Sequence, residues 1–161
     1  MSSSSFNSLG VPSRTILPLS KKSIINASQL AQTIPLFRDR SGIYHFADSI
    51  SVFGEFAFAL KAVDKREGAN NIYQFNKVEL KVNNELKFSL EYTKIPFSQN
   101  KFAKEIVQYD LLRNNLGEFQ KLYRTKEQKQ ISIHKTKNTG IIDLPPGIHN
   151  VEIIIYDAAN N

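Results

Sequence analysis

The sequence predicts a mainly β chain. Apolar residues recur with a period of two over most of its length, and turn-forming residues interrupt these runs at short intervals. In one stretch, residues 78–92, both arms of a potential hairpin alternate strictly between apolar and polar. Short alternating strands separated by frequent turns are the pattern of an antiparallel β-sandwich of immunoglobulin-like type. One short helix, near residues 98–114, interrupts it.

Taken in order, residues 1–13 read as a flexible leader and 14–161 as the sandwich domain. Five serines in the first eight residues, followed by Gly10 and Pro12, give the leader the composition of a linker. It has neither the basic start nor the apolar run of a secretory signal. Next, Phe56, Phe58 and Leu60 alternate with Ala57, Ala59 and Lys61, and Gly54 separates them from Ile50 and Val52 as a bulge or strand break.

The clearest unit is Val78, Leu80 and Val82, then Asn83-Asn84-Glu85, then Leu86, Phe88, Leu90 and Tyr92. Pairing Val82 with Leu86, Leu80 with Phe88 and Val78 with Leu90 keeps apolar opposite apolar, which predicts a three-residue loop with an asparagine or Glu85 in the left-handed region. A two-residue loop would set Val82 against Glu85 and Leu80 against Lys87, burying charge at a cost of about 2 kcal/mol or more.

Phe102, Ile106, Tyr109 and Leu112 recur at helical spacing, which places the helix and gives it one apolar face. Further strands are expected over residues 119–124, over 130–135 through Ile131 and Ile133, and over 141–144 before the Pro145-Pro146-Gly147 turn. Residues 148–156 are apolar on both alternations, as in a strand buried on two faces inside a sheet.

Composition sets the limits on chemistry. With 161 residues, 41% hydrophobic and 22% charged, the chain is long enough to bury about 70% of its unfolded surface in one domain. The absence of cysteine excludes disulfides, thiolate zinc sites and cysteine nucleophiles. No apolar run approaches the roughly 18 residues of a membrane span, so none is expected. A formal net charge of +6 favours anionic surroundings without selecting among them.

Three histidines, His45, His134 and His149, are spread along the chain, and no H-x-H, H-E-x-x-H or G-x-S-x-G motif is present. His45 and Asp48 resemble a ligand pair, but residues three apart on a strand point to opposite faces. His134, alternating with inward Ile131 and Ile133, is expected to face solvent. No catalytic residue and no metal ligand is assigned. The oxygen-rich segment at residues 64–71, with Asp64, Glu67, Asn70 and Asn71 around Gly68, has the donors for a hard cation, but Lys65 and Arg66 oppose one and the residue types are those of a turn.

Lys121, Arg124, Lys126, Lys129, Lys135 and Lys137 form the densest positive region, opposed by Glu127, and are the candidate binding residues. Tyr123 is the single aromatic among them, whereas platforms for single-stranded nucleic acid interleave several aromatics with basic residues, so nucleic acid is not the expected partner. Tyr44, Tyr73 and Tyr92 are read as sheet packing rather than as a sugar platform.

An ordered set of local patterns adds a family resemblance. The set comprises Ile16-Leu17-Pro18-Leu19, Ile25-Asn26-Ala27-Ser28, Ile50-Ser51-Val52-Phe53-Gly54-Glu55-Phe56-Ala57-Phe58, residues 64–71, and Val78-Glu79-Leu80-Lys81-Val82-Asn83-Asn84-Glu85-Leu86. It continues with Ile131-Ser132-Ile133, Asn138-Thr139-Gly140-Ile141-Ile142 and Ile155-Tyr156-Asp157-Ala158-Ala159-Asn160. In this order they resemble the β-rich region that follows the catalytic domain in bacterial lysostaphin-like (LytM-type) zinc metalloendopeptidases, which cut peptidoglycan cross-links. Such peptidases hold zinc through H-x(n)-D and H-x-H motifs, and the second is missing here. The chain departs from the family at Glu67, where a second aspartate is usual, and at Asn160, where glycine is usual.

The resemblance implies a non-catalytic accessory domain in a longer protein, without a cofactor of its own. Zinc would lie in a covalently linked peptidase domain, peptidoglycan or an envelope protein would be the partner, and the cell envelope or periplasm would be the location. The alternative expectation is a freestanding immunoglobulin-like adhesion module that binds a glycan or protein through the basic region.

Overall fold

The structure, a computed structural model, describes residues 13–38, 40, 44–46, 49–61, 75–91, 98 and 119–157. Ten strands are present among them: β1 (Ser13–Pro18), β2 (Ile24–Ile25), β3 (Gln32–Arg38), β4 (Tyr44–Phe46), β5 (Val52–Phe53), β6 (Phe56–Lys61), β7 (Phe75–Val82), β8 (Glu85–Glu91), β9 (Gln120–Lys121) and β10 (Val151–Asp157). They form a five-stranded sheet in the order β4-β3-β1-β6-β9, a three-stranded sheet β10-β7-β8 and a two-stranded ribbon β2-β5, with every pairing antiparallel. The mainly β, antiparallel class is thus observed. β1 begins at Ser13, the last residue assigned to the leader; residues 1–12, the segment 64–71 and, apart from Ser98, the helix expected near residues 98–114 lie outside the described residues.

The two larger sheets share one core. Ile16, Phe56, Phe58 and Leu60 from the five-stranded sheet meet Val78, Leu80, Val82, Phe88 and Leu90 from the three-stranded sheet, and Ile25, Leu122, Ile131, Ile133 and Ile142 complete the cluster. Burying each such side chain contributes roughly 1.5 to 3 kcal/mol, so this layer is the main source of stability. β6 is buried on its other face as well: Ala57 and Ala59 lie in a second cluster with Leu17, Phe119 and Tyr123. Small side chains on that face leave room for the large rings.

Gly54 ends β5 with φ at +78°, as expected of a break, and a Cβ there would come within 3.1 Å of the Ser23 Cα. Its conformation turns the chain from the ribbon into β6.

The β7–β8 hairpin corrects the expected loop. Leu80 pairs with Phe88 and Val78 with Leu90 as the alternation requires, but Lys81 pairs with Leu86 and Val82 with Glu85. The loop therefore has two residues, Asn83 and Asn84, with φ at 50° and 65°, the double left-handed geometry of a type I′ turn. A bulge beside Lys81 absorbs the extra residue and restores the phase. The feared charge burial does not arise, because the Glu85 side chain at the sheet's end is 67% exposed and paired with Lys87.

Three expected strands shrink. Of residues 119–124 only β9 is strand; residues 130–135 form a turn with one isolated bridge, Leu90 to His134; and residues 141–144 supply one bridge, Phe56 to Ile142. β10 lies at the edge of its sheet among the described residues, not in its interior. Val151, Ile153 and Ile155 pack on the core. On the opposite face Tyr156 donates a hydrogen bond to Glu79 at 3.1 Å and lies under the Lys77 ammonium, so its hydroxyl and ring are matched by polar neighbours rather than by a second apolar layer.

Candidate functional site

The basic region is organised by a closed loop. Gln120 and Lys121 extend the five-stranded sheet beside Leu60 and Ala59, and Leu122 continues the contact by donating its N–H to the Phe58 carbonyl at 2.9 Å. At Arg124 the chain turns away. The Arg124 N–H donates to the Thr139 carbonyl at 2.8 Å, and its Nη2 donates to the Lys137 carbonyl at 2.7 Å. These two bonds bring the ends of segment 125–136 together, the defining property of an Ω-type loop.

The loop opens on a turn in which Gln128 N–H donates to the Thr125 carbonyl at 3.1 Å and Thr125 N–H donates to Gln128 Oε1 at 2.9 Å. A second turn fills its interior. His134 N–H donates to the Ile131 carbonyl at 2.9 Å, and Ile131 N–H donates to His134 Nδ1 at 3.1 Å. Ile131 and Ile133 are buried, and the His134 ring packs 5.6 Å from the Phe88 ring.

His134 is therefore only 9% exposed, contrary to the outward orientation expected from strand alternation. A turn does not alternate, and this one directs the isoleucines and the imidazole inward together. Accepting a hydrogen bond at Nδ1 requires that nitrogen to be unprotonated. Burial, then the charge of Arg124, push the imidazole down to about 4, which keeps it neutral at physiological pH.

The return arm runs along the outer edge of β8. Glu91 N–H donates to the Ile133 carbonyl at 2.9 Å, Lys135 N–H to the Ser89 carbonyl at 3.0 Å, and Asn138 Nδ2 to the Leu86 carbonyl at 2.9 Å. Gly140 locks the arm in place with φ at +76°, and a Cβ there would lie 2.3 Å from the Leu122 carbonyl oxygen.

The six candidate residues separate into three roles. Lys121 sits half-buried on β9 with its ammonium 5.7 Å from the Tyr123 ring centre. Arg124 is half-buried and braces the loop's base. Lys126, Lys129, Lys135 and Lys137 are exposed on the loop and its return. Glu127 is exposed among them; its own backbone N–H and the Thr125 hydroxyl, together with the charge of Lys126, hold its carboxyl below the usual range. Sequence reasoning missed His134, Asn138 and Gly140 as the residues that build this loop, although a glycine directly before Ile141-Ile142 was a local cue to a left-handed backbone.

The other candidates divide by what is described. The His45 side chain and Asp48 lie outside the described residues, as do the side chain of Tyr44 and residues Tyr73 and Tyr92. His149 bridges Asn83 Nδ2 at 2.9 Å and the Pro145 carbonyl at 2.8 Å, tying the hairpin turn to the turn before β10. Among the described residues no group of three or more histidine, aspartate or glutamate side chains is placed to hold a metal ion, and no helix is long and apolar enough to cross a membrane. No family model, curated protein or solved structure matches the chain.

Proposed function

We propose that this chain is a non-catalytic accessory β-sandwich of a cell-wall metalloendopeptidase, which contacts peptidoglycan or an envelope partner while a linked domain carries the zinc. The observation that supports the reading is where those resembling stretches that lie among the described residues fall. Ile16-Leu17-Pro18-Leu19 belongs to β1 and its exit, residues 50–58 to the β5–Gly54–β6 corner, and residues 78–86 to the hairpin and its turn. Ile131-Ser132-Ile133 and residues 138–142 build the closed loop and its return. Each has a core or turn role, so the likeness is one of scaffold rather than of reactive groups.

Activity tests this directly. Purified chain supplied with equimolar zinc is expected to leave cross-linked muropeptides intact, and hydrolysis with stoichiometric zinc would end the reading. The neighbouring coding sequence supplies a second check, since the proposal requires an upstream segment carrying H-x(n)-D and H-x-H. An upstream segment without them would favour the freestanding binding module, which the exposed lysines of the loop also suit.

A further inference from the structure

Among the described residues, β10 forms an open edge of the three-stranded sheet, pairing with β7 alone. The opposite edge is closed, because the return arm of the loop bonds to β8 through the Ile133 carbonyl and the Lys135 N–H. Edges left in water are ordinarily guarded by lysine, proline or a bulge, since their free N–H and C=O groups template the addition of another strand. Residues 148–157 contain no lysine, arginine or proline, and the irregularity in the β10–β7 register falls at the strand's end, between Tyr156 and Asp157.

The phase of that edge follows from the bond that precedes the strand. Asn83 N–H donates to the Asn150 carbonyl at 2.8 Å, so Asn150 faces the β7 side, and alternation turns the backbone groups of Glu152 and Ile154 the same way. Val151, Ile153 and Ile155 therefore direct their N–H and C=O groups away from β7. Their side chains pack on the core yet are only half-buried, and no strand among the described residues lies against their outer flank.

The strand is complementary to itself. Antiparallel pairing about a twofold axis at Ile154 sets Val151 opposite Asp157, Glu152 opposite Tyr156 and Ile153 opposite Ile155 of a second copy, so that all seven residues of β10 are paired. Ile153 and Ile155 then bring their outward backbone groups to one another, and their side chains meet on the core face. On the other face Ile154 meets its own copy, while Glu152 arrives beside Tyr156, over whose ring the Lys77 ammonium lies at 5.0 Å. Opposite charges thus face each other across the junction. An axis at Ile153 would set Glu152 against Ile154 and carry Tyr156 past the end of the partner strand; an axis at Ile155 would do the same to Val151 and Glu152.

We infer that β10 is a dimerisation edge, at which two copies of this chain join β10 to β10 and make one continuous sheet of their two three-stranded sheets. A twofold contact of this kind uses the same edge on both copies and closes on itself, so assembly stops at the dimer.

Sedimentation velocity of the full chain, from micromolar to submillimolar concentration, is the first test. A single strand pair buries less surface than a standard interface, so a dissociation constant on the order of 10 to 100 μM is expected. Amide exchange followed by NMR reads the contact without any substitution. Where the dimer is populated, the N–H groups of Ile153 and Ile155 should exchange about fivefold to tenfold more slowly than in dilute chain, and those of Glu152 and Ile154, already bonded to β7, should change less. Ile154→Lys sets two ammonium groups against each other on the axis and should weaken the dimer at least about tenfold. Phe53→Lys removes a side chain that is 67% exposed on the β2–β5 ribbon and should leave the dimer unchanged within about twofold.

A chain that stays monomeric over the whole range would overturn the inference. So would association that leaves exchange at Ile153 and Ile155 unaltered, or a dimer abolished by Phe53→Lys and retained by Ile154→Lys, since another surface would then make the contact. Both variants are compared as folded chains with the circular dichroism of the parent protein; if Ile154→Lys does not fold, the exchange pattern decides alone.

Discussion

Gly140 shows how much a single backbone position carries. Its φ of +76° is one that residues with a Cβ adopt only at a cost of about 1 to 2 kcal/mol. The missing Cβ also matters sterically: added, it would lie 2.3 Å from the Leu122 carbonyl oxygen, 3.0 Å from the Tyr123 Cα and 3.1 Å from the Phe88 Cβ. Two of these atoms are backbone and cannot rotate aside, so β9's exit and the return arm must separate. Gly140→Ala is expected to destabilise the fold by about 3 kcal/mol or more, read from chemical denaturation. Gly147→Ala is the control, because its φ of 147° is also positive while its nearest neighbour, His149 Nε2, stands 3.7 Å away. A φ of 147° lies beyond the left-handed well, in a region nearly exclusive to glycine, so this substitution should cost about 1 to 3 kcal/mol from backbone strain alone. Equal costs would show that backbone angle alone matters and that the close approach at Gly140 does not.

The β7–β8 hairpin separates what alternation reveals from what it hides. Alternation reports which side chains share a face, and it returned the inner pairs Val78 with Leu90 and Leu80 with Phe88 correctly. It is blind to a bulge, because one inserted residue flips the phase locally and leaves the inner pairs as a longer loop would leave them. The same blindness explains residues 130–135, where Ile131 and Ile133 mimic a strand while hydrogen bonds close a turn around His134. The two-sheet class and most core positions were legible because they follow from apolar period; the loop carrying the lysines was not, because bonds between distant residues such as Arg124 and Lys137 leave no local trace.

The turn itself makes a prediction of opposite sign at adjacent positions. Asn84 occupies the second left-handed site with an exposed side chain, so Asn84→Gly should remove backbone strain and stabilise the fold by up to about 1 kcal/mol. Asn83 instead accepts from the Asn150 N–H at 2.9 Å and meets His149 Nδ1 at 2.9 Å. Asn83→Gly gains the same backbone freedom but loses both bonds, and should destabilise by about 1 kcal/mol. Thermal melts of the two variants shifting in the same direction would refute the assigned roles.

At the scale of the whole molecule, acid attacks the fold at two places that act in the same direction. His134 is buried beside Phe88 at the meeting of the loop and the three-stranded sheet, and burial with the charge of Arg124 lowers it from 6.5 to about 4. The unfolded chain takes up that proton near 6.5, so between 6.5 and about 4 the unfolded state binds more protons than the folded one, and stability falls with pH across that window. Above 6.5 the contribution is fully present. Glu79 follows at lower pH: burial pushes its carboxyl up, but hydrogen bonds from Lys77 and Tyr156 and the charges of Lys77 and Lys81 outweigh it and hold the carboxyl below 4.5. Its contribution is present above 4.5 and lost as pH falls through the folded value. The formal net charge of +6 at neutrality rises further as carboxylates are protonated, adding self-repulsion to both losses. Melting temperature should therefore be level above pH 6.5 and decline below it, with His134 responsible for on the order of 1 to 3 kcal/mol by pH 4 once its partial access to solvent is allowed for. His134→Asn keeps an acceptor for the Ile131 N–H without a titrating ring, so its melting curve should stay level until the carboxylates titrate near 4.5. Parallel decline of the two proteins between pH 6.5 and 4.5 would mean that the imidazole is not held neutral in the fold, and the closed loop would then need a different account of what anchors it.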